Sequence, residues 1–278
     1  MNSLARDYTK TIIYEVLLIA VALVALFPFL WMALSSLKPI AEILQWPITL
    51  LPKKATFENY VNVFTAIPLL RYLMNSAIVA IVGTLFVTIT GSMAAYSLSI
   101  IRLKTASFFL MLALLGLIVP VQLAFIPLFL FANFMHIQNT YVGLIFPFLV
   151  SPFGVFLLTQ FFRTIPVELV DAARIDGMRE GGIIRHIVIP LGRSGITTLV
   201  IFQFMMIWRE FFWPLLVIND DSMRTVTLGI AAYFYVETNV QWGLILAAAT
   251  AALMPILIVF AIFQRRFIAG ITVGGLKG

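Results

Sequence analysis

Six stretches of this 278-residue chain are each long and apolar enough to cross a lipid bilayer, and nothing else limits its fold as strongly. They fall at residues 12–34, 72–99, 106–134, 141–162, 195–217 and 242–263, against a need for about 20 apolar residues per spanning helix. In lipid, neither irregular backbone nor an open strand can satisfy its polar groups, so such stretches must be helical. The expectation is an all-α membrane protein with six transmembrane helices and one domain over residues 1–278. Composition agrees: 62% of residues are hydrophobic, 11% are charged, and the mean hydropathy is +1.06. The first stretch exceeds a signal-peptide core and no small-residue cleavage pattern follows it, so it reads as a retained span.

Charge then orients the chain. With both termini in the cytoplasm, twelve Lys and Arg lie on that side, five on the other, and Arg209 within the fifth stretch; positive flanks are retained inside. The net charge of +6 thus serves topology, and nucleic acid is not an expected partner. Trp31, Tyr72, Tyr141, Trp213 and Trp242 sit near segment ends, as interfacial aromatics do. With no cysteine and only two distant histidines, His136 and His186, disulfides and metal sites built on Cys or clustered His are not expected. Pro39, Pro47, Pro52 and Pro68 punctuate the outer segment 38–71, predicting a loop with short helical turns. Pro120 and Pro127 should kink or break the third span, and Pro147 and Pro152 the fourth; packing kinks and broken helices lining a substrate path are both open.

Between the fourth and fifth stretches, residues 163–194 interrupt this apolarity with charge. Pro166 suits a helix start, Glu168 favours the N-terminal dipole, and Ala172-Ala173 are small helix formers. Gly177 permits a sharp turn, after which Ile183, Ile184, Ile187 and Val188 recur at helical spacing until Pro190, expected to end the run. Two helices this short need a surface to dock on, either their own bundle or another protein; an ordinary structured loop is the alternative.

Asp171-Ala172-Ala173, Gly177 and Ile189-Pro190-Leu191 resemble the EAA loop of membrane subunits from ATP-binding-cassette (ABC) importers. The resemblance extends to Pro28 through Trp31, Ser36 through Pro39, Phe57 through Tyr60, Asn75-Ser76, Ala94 through Tyr96, residues 208–215 and the C-terminal tail. Together these look like the shorter, six-span partner of the maltose-transporter type of carbohydrate permease. The resemblance implies a type I ABC importer permease fold in a prokaryotic cytoplasmic (inner) membrane. It implies as partners a homologous second permease subunit, two ATP-binding-cassette ATPase subunits, an extracytoplasmic solute-binding protein and a sugar substrate. ATP and Mg would reside on the ATPases; this chain would bind no cofactor and catalyse nothing, and it has no Gly-x-x-x-x-Gly-Lys-Ser/Thr loop of its own.

Carried over residue by residue, Glu168, Asp171, Ala172, Ala173, Asp176, Gly177 and Pro190 become the ATPase-coupling candidates. Asp171 stands where the family usually has Glu, keeping the charge on a shorter side chain. The tail 264–278, with Gly270, Gly274 and Gly275 after Arg265 and Arg266, resembles a C-terminal extension that reaches the ATPases; a disordered end is the alternative.

For cargo, the candidates are Trp208, Arg209, Glu210 and Trp213, since ionisable residues inside a span are costly and aromatic faces suit sugars. Arg209 and Glu210 could equally pair as structural glue. Arg209 occupies a position where the family usually has Asn, which makes an acidic sugar conceivable; a glycerophosphodiester or polyol is the alternative cargo. Glu15 reads as a snorkelling side chain. An ion-gradient-driven secondary transporter using Glu15, Arg209 and Glu210 leaves the 163–194 segment unexplained, and no constellation for an intramembrane enzyme is apparent.

Overall fold

A computed structural model describes the backbone of residues 2–101, 103–236 and 241–275, and the side chains of 12–101, 103–233 and 241–264. Every element among the described residues is helical. Three helices are long and apolar enough to cross a membrane unaided, Ile12–Ser36, Leu69–Ser99 and Trp242–Gln264, and three bent helix pairs bring the number of spans to as many as six.

The bends lie where the prolines and caps put them. Ala106–Ile118 and Gln122–Phe134 meet at 100° across Pro120, which withholds a backbone donor from the helix ladder. The third stretch is therefore broken rather than continuous. Tyr141–Phe148 and Pro152–Phe162 meet at 48°, with Ser151 capping the second piece by accepting from the Gly154 amide at 3.2 Å and Pro152 occupying its first turn. Glu180–Leu191 and Arg193–Trp208 meet at 78°.

One expectation is refined here and one corrected. The helix expected to end at Pro190 ends one residue beyond it, at Leu191, and a π-turn over Ile184–Val188 precedes the proline, the wider turn relieving the clash a proline ring makes with the carbonyl four residues earlier. The fifth stretch does not reach Val217 as one helix, because Arg193–Trp208 stops and a separate short helix, Phe212–Val217, begins after three residues.

The chain divides into two compact units. The first comprises Met1–Leu69 and Ala232–Leu253. Its spanning helix is exposed from Ile12 to Leu30, as lipid-facing surface can be. At the end of that helix, Asn59 on Glu58–Ala66 donates from Nδ2 to the Ser36 and Lys38 carbonyls, both at 2.8 Å, and the Tyr60 hydroxyl meets Ser36 Oγ at 2.8 Å. Lys38 is 2% exposed and donates from Nζ to the Thr49 carbonyl. Segment 38–71 holds one helical turn, Ile40–Ile43, and the nine-residue helix Glu58–Ala66.

The second unit comprises Leu70–Ala231 and Met254–Gly278. Its core gathers Val87, Tyr96, Leu158, Phe162, Val170, Ile183, Val188 and Leu199. Small residues let its helices approach: a Cβ on Gly154 would lie 3.1 Å from Val87 Cγ1 and 3.3 Å from Leu199 Cδ1, so three helices meet closely at this glycine. Near the start of Leu69–Ser99, Asn75 acts as a hub. Its Nδ2 donates to the Ser222 and Arg224 carbonyls at 3.0 and 2.9 Å, and its Oδ1 accepts from the Tyr141 hydroxyl at 2.7 Å. The last helix runs on through Gly270, Gly274 and Gly275, so the tail there is helical backbone; residues 276–278, with Lys277 and Gly278, lie outside the described residues.

Candidate coupling site and substrate path

The interruption folds as a helix, a turn and a second helix. Val167–Ile175 starts after Pro166, with Glu168 in its first turn, where a carboxylate complements the dipole. It stops at Gly177, whose φ of +78° is the left-handed conformation that glycine adopts without penalty. The Gly177 amide donates to the Arg174 carbonyl at 3.0 Å and the Met178 amide to the Ala173 carbonyl at 2.9 Å, the paired bonds of a Schellman cap.

This helix has two faces. Val170 and Ala173 are buried in the core with Tyr96 and Ile183, while Glu168, Asp171, Ala172, Ile175, Asp176 and Gly177 are exposed. The two alanines therefore part company. Ala172 faces outward, whereas Ala173, at 7% exposure, packs inward and sets how closely the helix approaches the bundle; it is not free to touch a second protein. Pro190 is exposed beyond the π-turn. Ile175, an apolar side chain left 86% exposed beside two aspartates and a glutamate, gives the outer face an apolar knob within an acidic rim.

A polar bridge that residue-by-residue reading did not single out ties this helix to the bundle. Arg174 donates from Nε to Glu180 Oε1 at 3.1 Å and from Nη1 to Asp171 Oδ1 at 3.4 Å. On its other oxygen, Glu180 accepts from the Tyr96 hydroxyl, and Tyr96 is 3% exposed near the end of Leu69–Ser99. These bonds, from Tyr96 first and Arg174 second, hold the Glu180 carboxyl below the ordinary glutamate range. The only sequence trace of the bridge is the placing of opposite charges three residues before and six after Arg174.

The cargo candidates separate as well. Trp213 is fully buried, lies tilted against Phe125 with ring centroids 5.7 Å apart and donates from Nε1 to the Gly143 carbonyl at 2.9 Å; it is a core residue with no face left for a sugar. Glu210 Oε1 accepts from the Phe212 and Trp213 amides at 2.9 and 3.2 Å, capping the short helix, and the Glu210 carbonyl accepts from Thr227 Oγ1 at 2.8 Å. Glu210 thus makes structure, without pairing with Arg209. Arg209 is exposed at the break and has no ion pair among the described residues. Trp208, 3% exposed and stacked on Phe204 at 5.6 Å, lines a groove of about 690 Å³ with Leu73, Ala77, Ile81, Thr84 and Pro255 among its walls. The groove is apolar, although Thr84 Oγ1 is buried there without a hydrogen-bond partner among the described residues. No group of three or more His, Asp or Glu side chains converges among those residues to hold a metal.

Residues 88–273 match the family described as binding-protein-dependent transport system inner membrane component. The arabinooligosaccharides transport system permease protein AraQ of Halalkalibacterium halodurans is 36% identical over 261 residues, covering 93% of each chain. The sulfoquinovosyl glycerol transport system permease protein SmoH of Agrobacterium fabrum is 35% identical over 91% of this chain and 89% of its own. The fold matches a chain from the crystal structure of a bacterial ABC transporter involved in the import of the acidic polysaccharide alginate, with a TM-score of 0.82 at 21% identity over 94% of this chain and 98% of that one. An integral membrane protein by its apolar helices, this chain belongs to the family of binding-protein-dependent transport system inner membrane components.

Proposed function

We propose that this chain is one of two permease subunits in an ATP-driven importer that takes up a saccharide delivered by an extracytoplasmic solute-binding protein. In this reading both termini and the 163–191 segment are cytoplasmic. Two ATPase subunits hold ATP and Mg, and the chain itself is non-catalytic and binds no cofactor. The observation that carries the reading is the two-faced helix Val167–Ile175. Its inner face is packed into the core, and its outer face, the exposed Ile175 with Glu168, Asp171, Ala172 and Asp176, remains free. An apolar knob ringed by charge is what a cleft on another protein would accept. When the ATPases close on ATP, the seated helix moves with them and the path opens to the side where cargo arrives; hydrolysis resets it.

A saccharide is supported by relatives named for arabinooligosaccharides and for sulfoquinovosyl glycerol. Because the groove of this chain is apolar, the hydrogen bonds that a sugar needs would come mainly from the sister subunit and the binding protein. A second reading, an anionic saccharide, is favoured by Arg209, exposed at the helix break with no ion pair among the described residues. Reconstitution of the complete complex in proteoliposomes tests both. ATP-dependent uptake of a neutral oligosaccharide supports the first reading; uptake of an anionic sugar alone, lost in Arg209→Asn, supports the second. Absence of ATP-dependent uptake of any saccharide refutes the proposal.

A further inference from the structure

We infer that the bridge from Tyr96 through Glu180 to Arg174 is the joint that passes movement of the Val167–Ile175 helix to the groove-lining helix Leu69–Ser99. The inference rests on the coupling role proposed above. Val170 and Ala173 share an apolar core with Tyr96, but apolar burial is non-directional and permits sliding. Charge-assisted hydrogen bonds are directional and fix register. Here they run without a gap from one helix to the other: Arg174 donates to Glu180 at 3.1 Å, and Glu180 accepts from the Tyr96 hydroxyl.

The placement of the three residues makes the bridge a joint rather than a surface ion pair. Arg174 and Glu180 flank the Gly177 turn, so their bond closes that turn into a single body already locked by the amides of Gly177 and Met178. Tyr96, 3% exposed, belongs to the helix whose Leu73, Ala77, Ile81, Thr84 and Thr88 line the groove. From Thr88 to Tyr96 is about 12 Å of unbroken helix, which transmits a displacement without a hinge.

The chain has no cysteine, so a cysteine introduced into it is its one labelling site once the partner subunits carry none that react. In the complete transporter complex in nanodiscs, a spin label at Arg179→Cys reports the turn and one at Ile81→Cys, a 59% exposed position on the groove wall, reports the path. Each is read without nucleotide and with ATP plus vanadate. Glu180→Gln and, independently, Tyr96→Phe are expected to leave the Arg179 response intact and shrink the Ile81 response about fivefold, with co-purification of the ATPase subunits unchanged. A full Ile81 response in both variants overturns the joint. If the Arg179 label of the otherwise unsubstituted complex ignores ATP, the coupling role itself fails, and this inference with it.

Discussion

Replacing Gly177 by alanine isolates backbone conformation from packing. A Cβ at this position would find nothing within 4 Å, and the φ of +78° is unfavourable for any L side chain. The left-handed region costs a non-glycine residue about 1–2 kcal/mol, and the stiffer unfolded chain returns about 0.4–1 kcal/mol. Gly177→Ala should therefore lose about 1 kcal/mol, a factor of about five in the local opening equilibrium. Gly181 supplies the control, since a Cβ there also meets open space but its φ is not positive and it lies inside the helical turn Glu180–Ile183. Gly181→Ala should gain up to about 1 kcal/mol from helix propensity, so one substitution four residues apart changes sign. The reporters are the amides of Gly177 and Met178, which donate at 3.0 and 2.9 Å to the Arg174 and Ala173 carbonyls. Hydrogen exchange of segment 174–180 in purified protein should be faster in the first variant and unchanged or slower in the second. Equal protection in Gly177→Ala and the parent, or the same change in both variants, would refute the reasoning.

Three further outcomes follow from the geometry. Because its bonds hold the Glu180 carboxyl below the ordinary value of 4.5, the bridge should be at full strength above that pH and weaken as pH falls through the lower folded value; exchange protection at Met178 should drop there, and Glu180→Gln should abolish that dependence. Glu210→Ala removes the cap from the Phe212 and Trp213 amides and should cost about 1 kcal/mol, read as faster exchange in Phe212–Val217; unaltered exchange with lost uptake would return Glu210 to the cargo path. Asn75→Ala deletes three partly buried hydrogen bonds at about 1 kcal/mol each, so a clearly lowered thermal midpoint in detergent is expected, and a midpoint within the error of the parent would contradict the hub.

The apolar runs and prolines made the helices and most of their breaks legible, because lipid as a solvent leaves the backbone few choices. Less visible was the break after Trp208. Residues 195–217 read as one apolar run, and the interruption depends on Glu210 turning back onto two amides while its carbonyl meets Thr227, a partner 17 residues away. The same limit hid the division between Ala172 and Ala173, which helical spacing alone cannot assign without knowing where the core lies. Pro190 marked the end of its helix to within one residue, whereas the π-turn before it has no sequence signature here. By contrast, the paired resemblance at Ser36 through Pro39 and at Phe57 through Tyr60 acquires a physical cause, since Asn59 closes directly on the Ser36 and Lys38 carbonyls.

The 78° bend between Glu180–Leu191 and Arg193–Trp208 has a mechanical meaning. Its vertex is Gly192, where a Cβ would lie 2.5 Å from Phe162 Cε1 and 2.8 Å from the Val188 carbonyl oxygen, so the corner leaves no room for a side chain. Two stiff arms at a fixed angle form a bell crank. With about 18 Å of helix in Glu180–Leu191 and about 24 Å in Arg193–Trp208, the coupling role proposed above would enlarge a displacement of the first arm by about one third at Trp208. A rotation of about 5° about the corner would sweep the far tip through about 2 Å, the scale on which packed helices shift between discrete arrangements.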